Sequence, residues 1–151
     1  MSGVESGSTV EYRTSSTGTW TTTIPTRTSV GKTTVYYQIT NKNYNTVTGS
    51  NTIVINPAKT NIISLGKGTK SFTVKWAKKT TQTTGYQIQY STSSKFKNAK
   101  TLTVSKNKTT SRKITKLKAK KKYYVRVRTY KTVSKKKYCS SWSKAKTVKT
   151  K

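Results

Sequence analysis

The residues able to do chemistry in this chain are cations and aromatics, and they gather around one stretch. From Leu117 to Tyr130 the sequence reads L-K-A-K-K-K-Y-Y-V-R-V-R-T-Y. Arg126 and Arg128 stand two apart, with Tyr124 and Tyr130 at the same parity. Guanidinium groups interleaved with rings can stack planar groups or hold anionic sugars. Lys118, Lys120, Lys121 and Lys122 precede the arginines, and Lys135, Lys136 and Lys137 follow them. These nine residues form the candidate polyanion-binding set, with Gln87 and Gln89 expected on the same sheet. The competing expectation is that they are solvated outward faces, where lysine blunts strand edges. Catalysis has little to work with: there is no His, one Cys, and two acids, Glu5 and Glu11. General acid–base work needs a pair of titratable groups, and a nucleophile needs an orienting base. Zinc and calcium need ligands of the same types. No enzymatic activity, cofactor or metal is expected.

The charge is extreme, with 32 Lys+Arg against 2 Asp+Glu and a net +30. Such a chain repels itself and seeks anions. It is also unevenly spread. Residues 1–56 hold Arg13, Arg27, Lys32 and Lys42 against the two glutamates, a net of +2, so the other 95 residues carry 28 cations and no acid. Solubility needs only a modest net charge, so a polyanion in the surroundings is expected: nucleic acid, anionic lipid, or a phosphate- or carboxylate-bearing wall polymer. The lone Cys139 rules out an intrachain disulfide. Lys135 to Lys137 would favour its thiolate, but a small side chain filling a half-buried strand start is the better expectation. The sequon at Asn107 is a chance match. No stretch approaches the ~20 apolar residues of a membrane span, and the start M-S-G-V-E shows no signal-peptide pattern.

The elements that must position these groups are strands. Tyr123, Val125 and Val127 alternate with Tyr124, Arg126 and Arg128, so one face of this run is buried and the other wetted. Threonine, valine and tyrosine recur throughout, a composition that suits pleated sheets. In order, residues 1 to about 8 are expected to fray, and Thr9–Thr14 to form a strand. Four strands are expected before the linker: near Tyr12, over Trp20–Ile24, Val35–Thr40 and Thr52–Ile55, with a turn at Asn41–Asn45. Pro57 marks a boundary, dividing the chain into modules 1–58 and 59–151. The second module reads as seven strands: Ile62–Leu65, Ser71–Trp76, Gly85–Ser91, a segment ending at Val104, Arg112–Leu117, Lys122–Tyr130 and Lys144–Lys149. That count over about 90 residues suits a β-sandwich. Its core is expected to gather Trp76, Tyr90, Leu117, Tyr123, Val125 and Val127.

Two resemblances sharpen this all-β reading. Leu117, a turn and then Tyr123 opening a valine-rich strand resemble the tyrosine corner of sandwich domains. With Trp76, the strand Gly85-Tyr86-Gln87-Ile88-Gln89-Tyr90 and Trp142-Ser143 in order, residues 60–150 resemble a fibronectin type III domain. The version is lysine-rich, similar to modules of secreted proteins from Gram-positive gut bacteria; Ala119 and Lys120 replace the usual proline and glycine of the corner. The segments V-E-Y-R, W-T-T-T-I-P-T and T-T-V-Y-Y-Q-I-T-N-K-N-Y-N, over residues 9–58, resemble the Ig-like repeats of bacterial surface proteins. That resemblance implies two further strands before Val10. Without them Val10, Tyr12, Tyr37 and Ile39 would face water along unpaired backbone, so a partner protein, self-assembly or upstream sequence of a parent protein is expected to complete the first module. The competing expectation is a smaller, self-sufficient sheet packed on the second module.

The resulting expectation is a non-catalytic binding or spacer module, extracellular or on a bacterial cell surface. It would adhere electrostatically to an anionic polymer such as wall teichoic acid. A structural protein of a phage particle, a capsid decoration or fibre component, is the alternative, and nonspecific nucleic-acid binding a third.

Overall fold

The computed structural model describes residues 3–151, whose regular elements are all strands. They form two compact units, Met1–Ile55 and Asn56–Lys151. The sheets are sandwich-like, as the alternating patterns require.

The first unit is one antiparallel sheet of three strands. Strands β1 (Thr9–Arg13), β2 (Gly31–Asn41) and β3 (Tyr44–Ile55) lie in the order β1-β2-β3. Two sequence expectations fail here. Trp20–Ile24 is not a strand: Thr21 alone bridges Tyr12, through N–H to O bonds of 2.6 and 2.9 Å in the two directions. Pro25 cannot extend such a ladder, and Trp20 is engaged elsewhere, with the Arg13 guanidinium 4.1 Å above its ring. In turn, β3 begins at Tyr44, well before the expected Thr52. The Asn41 side chain accepts a 3.0 Å bond from the Asn43 N–H, closing a loop of only Lys42 and Asn43 between paired Asn41 and Tyr44. Once β2 offers partners, the threonine-rich run 46–52 pairs despite its polarity.

The bridge from Thr21 also changes the expected exposure. Tyr12 is buried, and Val10, Tyr37 and Ile39 are half-buried. Nor is the start of the chain loose throughout: the Asn41 amide donates to Ser6 O and Ser8 Oγ at 3.3 and 3.0 Å. Met1 and Ser2 lie outside the described residues. The Arg27 guanidinium donates to Thr33 Oγ1 at 2.7 Å and Val30 O at 3.2 Å. It lies over Gly31, whose φ of 147° and lack of a Cβ admit it; a Cβ there would meet Arg27 at 2.2 Å.

The second unit is a two-sheet sandwich. One sheet is β4 (Ile62–Gly68), β5 (Ser71–Trp76) and β8 (Ser111–Ile114), ordered β4-β5-β8. The other runs β10-β9-β6-β7, with β11 also on β9; these are β6 (Gly85–Ser91), β7 (Lys100–Val104), β9 (Lys122–Val133), β10 (Lys136–Cys139) and β11 (Lys146–Lys149). Strand β8 stops at Ile114, three residues short of Leu117. Between the sheets lie Ile62, Phe72, Val74, Trp76, Tyr86, Ile88, Ile114, Tyr123, Val125, Val127 and Val148. Trp76 sits 5.3 Å from Tyr86, ring centre to ring centre. Tyr90 and Leu117 depart from expectation: they pack at the rim, partly buried. Leu117 sits in the turn after β8, and Tyr90 lies near the end of β6, where the layers open.

Candidate functional site

Strand β9 carries the arginines, and its neighbours hold it on both sides along its length. Strand β6 pairs one edge, from Tyr124 opposite Ser91 to Tyr130 opposite Gly85. The other edge is shared by β11 at Lys122–Val125 and β10 at Tyr130–Val133. The gap between them is closed by serines. Ser143 N–H donates to Val127 O at 2.8 Å while its Oγ accepts from Val127 N–H at 3.0 Å. Ser140 repeats this on Thr129, at 3.1 and 3.2 Å. A serine hydroxyl here substitutes for a ladder carbonyl. The two anchors turn Trp142, between them in sequence, onto the outer face.

That outer face is a ladder of stacked cations and rings. The Arg126 guanidinium lies 4.0 Å from the Phe96 ring centre and 4.8 Å from that of Trp142. Arg128 lies 4.3 Å from a Trp142 ring centre as well. Each Nε donates to the glutamine paired across the strand, Arg126 to Gln89 at 2.7 Å and Arg128 to Gln87 at 2.8 Å. Burial, and then the like charge of Arg128, lower the pKa of Arg126, though a guanidinium stays charged. Arg126 thus has two protein rings against its guanidinium and Arg128 one, and both are tied to the neighbouring strand. Tyr130, expected on the same wetted stripe, is buried instead. It fits over Gly85, where a Cβ would meet Val104 O at 2.0 Å and the Tyr130 ring at 3.1 Å. Cys139 donates weakly to Gln87 Oε1, 3.8 Å away, and Asn107 is held structurally, its amide donating to Thr83 O at 2.7 Å.

The lysines fall into two groups at opposite ends of β9, roughly 36 Å apart at the rise of an antiparallel strand. Lys135, Lys136 and Lys137 occupy the β9–β10 turn and the start of β10, with Lys136 and Lys137 over the Tyr138 and Tyr130 rings at 5.7 and 5.2 Å. At the other end Lys122 lies over Tyr124 at 5.3 Å, Lys120 adopts a φ of 53° in the turn, and Lys118 and Lys121 line a cleft of about 500 Å³. Three further lysines line it, Lys97, Lys100 and Lys116. Sequence reasoning missed Lys97 and Lys100 because they come from the β6–β7 side, whereas Lys116 stands only two residues before Lys118.

The Lys118–Lys121 turn is tightly held. Tyr123 Oη accepts a 3.1 Å bond from Lys118 N–H, which closes the tyrosine corner expected from Leu117 and Tyr123. Thr150 Oγ1 donates to Lys118 O at 2.7 Å and accepts from Lys121 N–H at 3.1 Å. With this geometry the sequence of the second unit finds its match: the family model of the fibronectin type III domain covers residues 56–145. The chain belongs to the fibronectin type III family. Such domains are in general non-catalytic binding or spacer modules. The FN1–FN3 domains of chicken CNTN1 share the fold, with a TM-score of 0.58 at 19% identity over 95% of this chain. The chain covers 56% of that structure's length. No curated protein matches the sequence.

For the fibronectin type III unit and its neighbour alike, the described residues include no group of three or more His, Cys, Asp or Glu placed to hold a metal. No helix among them is long and apolar enough to cross a membrane.

Proposed function

We propose that this chain is a binding or spacer module of a bacterial extracellular or cell-surface protein, whose fibronectin type III unit adheres electrostatically to an anionic polymer such as wall teichoic acid. One observation carries the reading. The second unit holds 28 cations and no acid, so its lysines have no carboxylate side chain of their own unit to neutralise them, and a sandwich with β9 held on both edges keeps them in place. A polyanion relieves that repulsion and releases its own counterions on binding. The basic groups at the two ends of β9, Lys118 with Lys120 to Lys122 and Lys135 to Lys137, give a polymer two points of attachment, while Arg126 and Arg128 serve mainly to hold the sheet.

The first unit supplies a different contact. Among the described residues β3 pairs with β2 alone, and its free edge is where a strand from another chain, or another copy of this one, adds to the sheet.

The test is a salt titration of the full chain against purified polyol-phosphate polymer and against single-stranded and duplex DNA of matched phosphate content. Steeply salt-dependent binding with the polymer favoured supports the reading. Equal or tighter binding to DNA moves it to nonspecific nucleic-acid binding, and no binding to either removes it.

A further inference from the structure

We infer that the lysine-ringed cleft between the β6–β7 loop and the corner turn is a binding site for the phosphoryl group of a polyol or sugar phosphate. This rests on the polyanion reading above and names where one ligand unit sits. Lys97 and Lys100 come from the β6–β7 side, and Lys116, Lys118 and Lys121 from the turn before β9. Thr92, Ser93 and Asn98 add hydroxyl and amide groups, and Tyr90, Ser91, Leu117 and Tyr123 complete the lining. About 500 Å³ falls within the range of small-molecule sites. It is ample for a phosphate with its attached polyol.

Both walls are fixed before any ligand arrives. Ser91 Oγ donates to Lys97 O at 2.7 Å and accepts from Ser93 N–H at 3.0 Å, and Phe96 N–H donates to Ser93 O at 3.0 Å. Phe96 is further pinned beneath Arg126. The opposite wall is tied by Tyr123 and Thr150, as described above, and by the 3.0 Å bond from Leu117 N–H to Lys70 O. Each wall also contains residues with a left-handed backbone: Phe96 and Asn98 at φ 54° and 49°, Lys116 and Lys120 at 57° and 53°. For Phe and Lys this conformation is unfavourable and persists only where the surroundings enforce it.

The chemistry selects the ligand class. Five lysines line the cleft with no arginine among them. Arginine is the preferred partner for planar, bidentate carboxylates, whereas lysine acts as a point charge suited to phosphate oxygens in any direction. The serine and threonine hydroxyls suit the hydroxyls of a polyol. Burial, and then Tyr123, raise the pKa of Tyr90, so its phenol stays neutral among the lysines. A nucleic acid fits less well, because a base needs an open ring face. Tyr90 and Tyr123 instead have their rings against Phe72 and each other.

The test uses the full chain and three probes: glycerol 3-phosphate, the diester bis(glycerol) phosphate, and a thymidine oligonucleotide. Amide NMR shifts locate each probe, and binding to a polyol-phosphate polymer is measured for wild type and two variants of equal charge loss. K116Q/K118Q/K121Q alters the cleft; K135Q/K136Q/K137Q alters the far end of β9. All six positions are exposed, and a melting curve confirms that each variant folds. Expected are shifts confined to residues 90–100 and 116–123, their loss in the cleft variant, and roughly a tenfold fall in polymer affinity there against two- to threefold at the far end. Stronger shifts with the monoester assign the site to a chain end, and with the diester to a chain interior. Equal losses in the two variants, or shifts spread over both clusters, overturn the cleft while leaving general polyanion binding intact. Cleft shifts without polymer binding leave the cleft standing and overturn the broader reading. Preference for the oligonucleotide overturns the polyol class.

Discussion

Strand β9 of the second unit has a partner on each edge, whereas β3 of the first has a partner on one. The two strands are equally long, twelve residues each. Their side chains follow the difference. β9 buries every second residue from Tyr123 to Thr129, but β3 has no buried residue. Among the described residues, four of the five large hydrophobics that lie exposed, Ile24, Tyr44, Val47 and Val54, belong to the first unit. The described residues of that unit place only Tyr12, Val30 and Val35 among the buried hydrophobics. A single sheet can bury only one face, and only against something; the second unit has its own second sheet. The comparison teaches that strand-forming sequence is not enough: closure depends on a covering layer.

The largest test of this contrast is Trp76→Ala. Trp76 is 1% exposed between the sheets, so its removal should cost about 3–5 kcal/mol in denaturant unfolding of the second unit. Tyr12→Ala, in the thinner core of the first unit, should cost about half as much. Equal losses would show that the first unit is as fully packed as the second. Trp76→Phe should fall well below Trp76→Ala, because the Trp76 indole N–H is buried without a partner and its loss offsets part of the cavity.

Gly85→Ala probes closure on the outer face. A methyl group there collides with the Val104 carbonyl and crowds Tyr130, so a loss of about 1–3 kcal/mol is expected, with faster amide exchange along Tyr130 and its β10 partner Cys139. Tyr123→Phe keeps the ring and deletes the bond from Lys118 N–H. About 1 kcal/mol should be lost, and the Lys118 amide should lose its exchange protection while the core stays protected. An unchanged amide would mean that Thr150 alone holds the turn.

The smallest effect on stability belongs to the open edge. Val47 is 56% exposed on β3, and Val47→Lys should change the melting free energy by no more than about 0.5 kcal/mol. Its effect should appear in sedimentation, as reduced self-association or loss of strand-peptide binding, since a charge on an edge discourages added strands. A chain that is monomeric and binds no strand peptide before and after the change would remove the edge from consideration.

Much of the second unit was legible because its signals are local. Alternation over Tyr123 to Arg128 tells which side chains point inward, and the Leu117–Tyr123 spacing marks the corner. Tyr90, Leu117 and Tyr130 show the limit of that reasoning. Parity assigns a side chain to a face, but whether the face is covered at that point depends on Gly85, on β10 and on where the layers separate. The same limit explains Trp20–Ile24 and Thr46–Asn51: one run pairs at Thr21 alone and stays irregular, the other gains a continuous partner strand.

By itself the sequence determined an all-β chain, the face on which Arg126 and Arg128 would stand, and the division between a near-neutral first part and a +28 remainder, because alternation and charge are properties of neighbouring residues. Only the tertiary structure decided that the two arginines are clasped by Phe96, Trp142, Gln87 and Gln89. It alone brought Lys97 and Lys100 to Lys116, Lys118 and Lys121. Those five come from segments up to 24 positions apart in the sequence, and strand pairing, which no local pattern encodes, is what closes that distance.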